Sequence, residues 1–150
     1  MELLHHLNLE PSLAILFTLS FLAATIIPIG SEWLLVVMIL TGFSPAQAVI
    51  TATAGNYLGG CTTWFIGLYG SDFIISRVLR VSDTELTRAK EIYRKYGSWS
   101  LLLSWLPVIG DPLCLLAGIF RIGFIRFSLL VFSGKLFRYT TLAVLTVQFN

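Results

Sequence analysis

Four ionisable side chains of this sequence stand in surroundings where charge is costly. Glu32 ends the segment Pro28-Ile29-Gly30-Ser31-Glu32, and Asp111 ends Pro107-Val108-Ile109-Gly110-Asp111. Each acid lies four residues after a proline, inside an apolar stretch. Lys135 and Arg138, three residues apart in the last apolar stretch, share one face of a helix. A carboxylate can exchange a proton, while an ammonium or guanidinium can hold a phosphate. A charge at the centre of a bilayer costs about 2.5–3.5 kcal/mol on the lenient insertion scale, so four charges held apart there cost on the order of 10 kcal/mol. They are therefore expected to converge. Two ion pairs that merely dock one segment on another are the simpler alternative. Asn56 adds a polar contact or packs one helix on the next.

The segments that carry these groups are helices interrupted for a reason. A proline removes a backbone donor and clashes with the preceding turn, so helices are expected to break at Pro28 and Pro107, with Gly30 and Gly110 inside the breaks. Paired broken apolar segments in the two halves of a chain point to a transporter-type site. Composition agrees with a membrane: 56% of residues are apolar, 12% are charged, and mean hydropathy is +0.83. No charge occurs in the 21 residues between Glu10 and Glu32, nor in the 39 between Glu32 and Asp72. Such runs can cross a hydrocarbon core of about 30 Å. The start of the chain lacks Lys and Arg, unlike the basic region of a signal peptide.

Residues 12–27 read as a helix that fails at Pro28; 32–42 resume it, and 45–69 form a crossing opened by Ser44-Pro45. The crossing is rich in small residues, and Gly55-x-x-x-Gly59 lets another helix come close. Residues 98–106 and 112–120 flank Pro107, and a last helix covers about 124–148. Shifting the first half by 79 residues carries Pro28 onto Pro107, Glu32 onto Asp111, Asn56 onto Lys135 and Gly55 onto Gly134. The fold class expected is an all-α integral membrane protein of two inverted repeats, about 12–69 and 99–148. Each repeat is a re-entrant broken hairpin followed by a transmembrane helix. An amphipathic helix is expected in the connector, 70–98, starting at a Ser82–Glu85 capping box and stopping at Gly97. It either lies on an anionic leaflet or is a solvated link. Six of the ten basic residues fall between Arg77 and Lys95, which places the connector in the cytoplasm and both termini outside.

Other chemistries find little support. Net charge of +2 is too small to argue for nucleic acid. Cys61 and Cys114 lack metal spacing, His5-His6 is a poor metal site, and no cofactor motif occurs. An intramembrane enzyme would need a nucleophile and base that the sequence does not offer. Glu32 and Asp111 as an aspartyl pair is the remaining enzymatic reading, and the chain is read as no enzyme.

Several strings together resemble the DedA (SNARE-associated, VTT-domain) family, in its short YqaA-type branch. They are Ala24-Thr25-Ile26-Ile27-Pro28 with Glu32, Ala54-Gly55-Asn56-Tyr57-Leu58-Gly59-Gly60, Leu101 to Asp111 with Leu115-Leu116-Ala117-Gly118, and Gly134-Lys135-Leu136-Phe137-Arg138-Tyr139. The resemblance implies a bacterial inner-membrane, multi-pass protein that handles lipids. Its implied partners are membrane lipids, an anionic lipid or a polyprenyl phosphate, together with protons; a homo-oligomer stays open. Larger relatives carry arginines near the second proline where this chain has Trp105 and Asp111, which leaves Lys135 and Arg138 to supply positive charge. A scaffold that assists envelope assembly without transport is the alternative function.

Overall fold

The computed structural model describes residues 12–25, 30–70, 82–106 and 109–149. The breaks expected at Pro28 and Pro107 lie outside the described residues, as do Arg77 and Arg80 and the side chain of Glu85 on which the capping box depends. All regular structure among the described residues is helical: α1 (Leu13–Ala23), α2 (Glu32–Leu40), α3 (Pro45–Tyr69), α4 (Asp83–Tyr96), a 3₁₀ helix (Gly97–Trp105), α5 (Gly110–Ile119) and α6 (Phe124–Gln148).

Local chemistry explains most of the boundaries. The Ser12 hydroxyl accepts from the Ile15 amide at 3.3 Å and caps α1. Pro45 opens α3 at a position where a helix needs no donor. Gly42 ends α2 in the left-handed region at φ +98°, and Gly97 ends α4 at φ +60°. Arg121 takes the same conformation at φ 54° after α5, a place where glycine is the comfortable residue.

A shift of 79 residues carries Pro45–Tyr69 onto Phe124–Gln148, and the turns before them match bond for bond. After α2, Thr41 N–H donates to Val37 O, Gly42 to Ile39 O and Phe43 to Met38 O, at 2.9, 3.1 and 3.0 Å. After α5, Phe120 donates to Leu116 O, Arg121 to Gly118 O and Ile122 to Ala117 O, at 2.8, 2.9 and 2.9 Å. The two halves therefore share one backbone plan although few side chains coincide.

Packing follows the same plan with an exchange. In each half the first arm lies on its own long helix: α1 on α3, and the 3₁₀ helix on α6. The second arm crosses over, α2 to α6 and α5 to α3. The long helices run antiparallel: Trp64 meets Phe127, Tyr57 meets Phe132, and Ala52 shares a cluster with Tyr139 and Ala143. Glycines permit the close approaches. A Cβ on Gly55 or Gly59 would run into the Phe17 and Phe21 carbonyls of α1, and one on Gly134 would lie 2.8 Å from the Leu102 carbonyl.

Both long helices have 25 residues, about 37 Å at 1.5 Å per residue. Among the described helices only α6 is both long and apolar enough to span a bilayer. In α3 the glycines and the hydroxyls of Thr53 and Thr63 are turned into the protein, against α1 and α5, so burial rather than lipid absorbs its polarity. The arms α1 and α5, of 11 and 10 residues, reach only about 15–17 Å, half the thickness of the hydrocarbon. The apolar side of α4 is covered by protein rather than lipid. Ala89 is fully buried, and Tyr93 stacks on Phe120 with ring centres 4.7 Å apart.

Gly59→Val is expected to lower unfolding stability by about 1–3 kcal/mol, because its side chain must displace the α1 backbone. Gly123→Ala, where nothing lies within 4 Å of the added carbon, should cost less, under about 1 kcal/mol for a poorer N-cap of α6. Thermal unfolding of the two variants in detergent tests this; equal midpoints would sink it.

Candidate functional site

The site is built on one face of α6. Lys135 is 2% exposed, and its Nζ lies 3.5 Å from Oδ1 of Asp111 at the start of α5. The ammonium also donates to Oδ1 of Asn56 on α3, its equivalent in the other half. Asn56 uses its second function as well, donating from Nδ2 to the Ser20 carbonyl of α1 at 3.0 Å. The lysine stem reaches these partners past Gly60, whose absent Cβ would sit 3.4 Å from Lys135 Cε and 3.6 Å from Cys114 Sγ. Three elements thus meet at one ammonium through α3.

One turn along α6, Arg138 pairs with Glu32 at the start of α2. Glu32 folds back over Gly30, so a side chain there would have to push its carboxylate aside. Beside this pair Tyr139 is fully buried, and its hydroxyl meets the Ser31 hydroxyl at 2.8 Å, which fastens the start of α2 to α6. Gly110 lets α5 begin against the end of the 3₁₀ helix, since a Cβ there would collide with the Ser104 carbonyl. Gly30 and Gly110 therefore serve close approach: one beneath its own acid, the other beneath a neighbouring backbone.

The two pairs differ in exposure. The Asp111 side chain is 40% exposed while its lysine is buried; Glu32 and Arg138 are 24% and 18% exposed. An acid that is open on one side and paired on the other has room to leave its cation. The cation cannot follow. Buried hydroxyls of Ser20, Thr53 and Ser104 also lie in the protein without a hydrogen-bond partner among the described residues. Ser20 lies against Gly55 and Ser104 against Gly134, each glycine next to the Asn56 or Lys135 that follows it.

The structure brings the expected residues together as two groups one turn apart on α6: Lys135 with Asp111 and Asn56, and Arg138 with Glu32. Pro28 and Pro107 lie outside the described residues. Sequence reasoning missed Ser31 and Tyr139, and their positions next to Glu32 and Arg138 were the only signal. Trp105 packs edge-on against Phe137 with ring centres 6.2 Å apart. Cys61 and Cys114 are buried free thiols, and the described residues hold no group of three metal-ligating side chains.

An all-helical fold with short apolar arms beside an apolar helix of spanning length is that of a membrane protein. The chain belongs to the VTT-domain family, whose model matches residues 27–148. It is 44% identical over 138 residues to the inner membrane protein YqaA of Escherichia coli (strain K12), across 91% of this chain and 92% of that one. The YqaA of Shigella flexneri matches equally, and an uncharacterized protein of Haemophilus influenzae is 36% identical over 146 residues, across 92% of this chain and 89% of that one. No solved structure matches the chain.

Asn56→Ala is expected to lower unfolding stability by about 1–3 kcal/mol, because it strips an acceptor from a buried ammonium and a donor from the Ser20 carbonyl. Denaturant unfolding in detergent reads this directly. No change would mean that the amide does not support Lys135.

Proposed function

We propose that this protein resides in a bacterial inner membrane and carries an anionic lipid between leaflets through the cluster on α6, exchanging protons at Glu32 or Asp111. One observation carries the reading: acids from both halves of the chain reach cations one turn apart on a single helix. In this reading the halves are inverted repeats whose arms re-enter the membrane from opposite sides. The antiparallel long helices and the half-length arms support it.

The step is a competition for cations. A lipid phosphate that arrives at Lys135 or Arg138 offers the acceptor geometry that the carboxylate offered, and it displaces the acid. A carboxylate that loses its cation loses the charge that favoured its ionised form, and it can take up a proton. Departure of the lipid reverses both events. Substrate and proton are then coupled without a large rearrangement of the long helices. The scaffold reading has its own support in the Ser31–Tyr139 contact, which fastens α2 to α6 regardless of any substrate.

Charge distribution supports an orientation. Arg88, Lys90, Arg94, Lys95, Arg121 and Arg126 all lie on α4 or at the adjoining ends of α5 and α6, and residues 1–76 contain no Lys or Arg. The positive-inside rule then puts α4 in the cytoplasm. With Ser82→Cys, a membrane-impermeant thiol reagent added to intact cells should give no labelling, and permeabilisation should reveal it. Labelling of intact cells would reverse the orientation.

For the transport step, proteoliposomes containing the protein are expected to show anionic-lipid flux that grows with an imposed pH gradient. Glu32→Gln and Asp111→Asn should each reduce it at least tenfold while leaving the protein inserted and abundant. Lys135→Ala should lose more flux than Lys135→Arg, because charge matters more than shape. Flux insensitive to the gradient would leave passive scrambling. Absence of flux for every lipid tried would favour the scaffold.

A further inference from the structure

The connector end of the molecule carries more than an excess of charge, because its cations meet aromatic rings. The Arg126 guanidinium, in the first turn of α6, lies 6.0 Å from the centre of the Trp99 ring near the start of the 3₁₀ helix. The Lys95 ammonium lies 5.2 Å from the Tyr96 ring, one turn earlier in the chain. Trp99 is 63% exposed and Tyr96 51%, so these rings are not core residues. Tryptophan and tyrosine prefer the depth of lipid headgroups. A guanidinium on a ring still keeps N–H donors in its own plane, and these suit a phosphate.

A seam runs inward from these residues. The 3₁₀ helix lies along α6, and its outward side chains Trp99, Leu102 and Trp105 are all exposed apolar groups. Trp105 ends the row against Phe137, which is itself 62% exposed. Six residues of 3₁₀ helix advance about 12 Å, the reach of an acyl chain from its headgroup into the upper hydrocarbon. The basic pair is at the headgroup end of the seam and the apolar row leads away from it.

The geometry points to a phospholipid site on this seam: the phosphate of an anionic phospholipid at Arg126 and Lys95, beside the Trp99 indole, with an acyl chain along Leu102, Trp105 and Phe137. Charge complementarity selects the occupant. On α4 the exposed Arg88, Lys90, Arg94 and Lys95 outnumber the acids Asp83, Glu85 and Glu91, and the exposed Arg121 and Arg126 add to the excess at this end. The site shares no residue with the Lys135 cluster and stands whether or not the bound lipid is the one transported.

Native mass spectrometry of the full-length protein, released from micelles containing equal phosphatidylglycerol and phosphatidylcholine, tests it. The expected result is a retained phosphatidylglycerol adduct that falls at least fivefold in Arg126→Ala and in Trp99→Ala. It should fall less in Arg126→Lys, which keeps the charge but not the planar donors, than in Arg126→Ala, and it should persist in Lys135→Ala. Both mutated side chains are exposed, so the variants should unfold at the temperature of the unaltered protein. Equal retention of the two lipids would overturn the site, and so would displacement by millimolar inorganic phosphate. An adduct lost in Lys135→Ala but kept in Arg126→Ala would overturn it too, while leaving the transport reading intact.

Discussion

The structure is organised around a buried ammonium that cannot be left alone. Lys135 sits on the longest apolar helix with almost no solvent contact. A cation in such surroundings must find acceptors within the protein, because hydrocarbon supplies none. Asp111 from α5 and Asn56 from α3 are those acceptors. Placing them there fixes where α5 starts and how close α3 comes to α6. Asn56 in turn holds the Ser20 carbonyl of α1, so the requirement reaches a fourth helix.

Close approach is the second consequence. Polar groups of this size bond only if the helices that bear them come nearer than bulky side chains permit, and glycine is the residue that permits it. Gly55 and Gly59 admit α1; Gly67 and Gly118 lie against each other and admit α5; Gly134 admits the 3₁₀ helix. Four of the five polar anchors have a glycine close by in sequence: Gly55 before Asn56, Gly134 before Lys135, Gly110 before Asp111, and Gly30 two residues before Glu32. Packing and polarity are therefore one design. The row of small residues in α3 lowers its hydropathy, and its burial explains why a helix of spanning length does not look like one by composition.

What could be read from the sequence follows the range of each physical cause. The ends of α3 and α6 were legible because Ser44-Pro45 and the apolar run act locally, and the 79-residue shift transfers them from one half to the other. The acids and bases stood out because charge is rare in such stretches, so their meeting could be anticipated on energetic grounds alone. Which acid meets which base depends on the crossover of the second arms, and nothing local encodes it. The Ser31–Tyr139 contact spans 108 residues and joins two ordinary side chains, so it was invisible. The amphipathic pattern of α4 was plain, yet the pattern cannot say whether lipid or protein covers the apolar side; Phe120 and the core beneath Ala89 decide it.

The two halves cannot carry the same side chain where their long helices touch at the charge site. Asn56 and Lys135 are equivalent under the 79-residue shift, and they touch. Two lysines there would face each other across a hydrogen-bond distance in a medium of low dielectric, where like charges repel far more strongly than in water. Two asparagines would leave Asp111 without a cation. A lysine opposite an asparagine satisfies the ammonium and the acid together. The same logic holds one turn away, where Arg138 on α6 corresponds to Gly59 on α3, and Gly59 is needed against α1. Both cations must then lie on α6, and both acids must come to it. Glu32 arrives on α2, which packs on α6, whereas Asp111 reaches α6 from α5, which packs on α3.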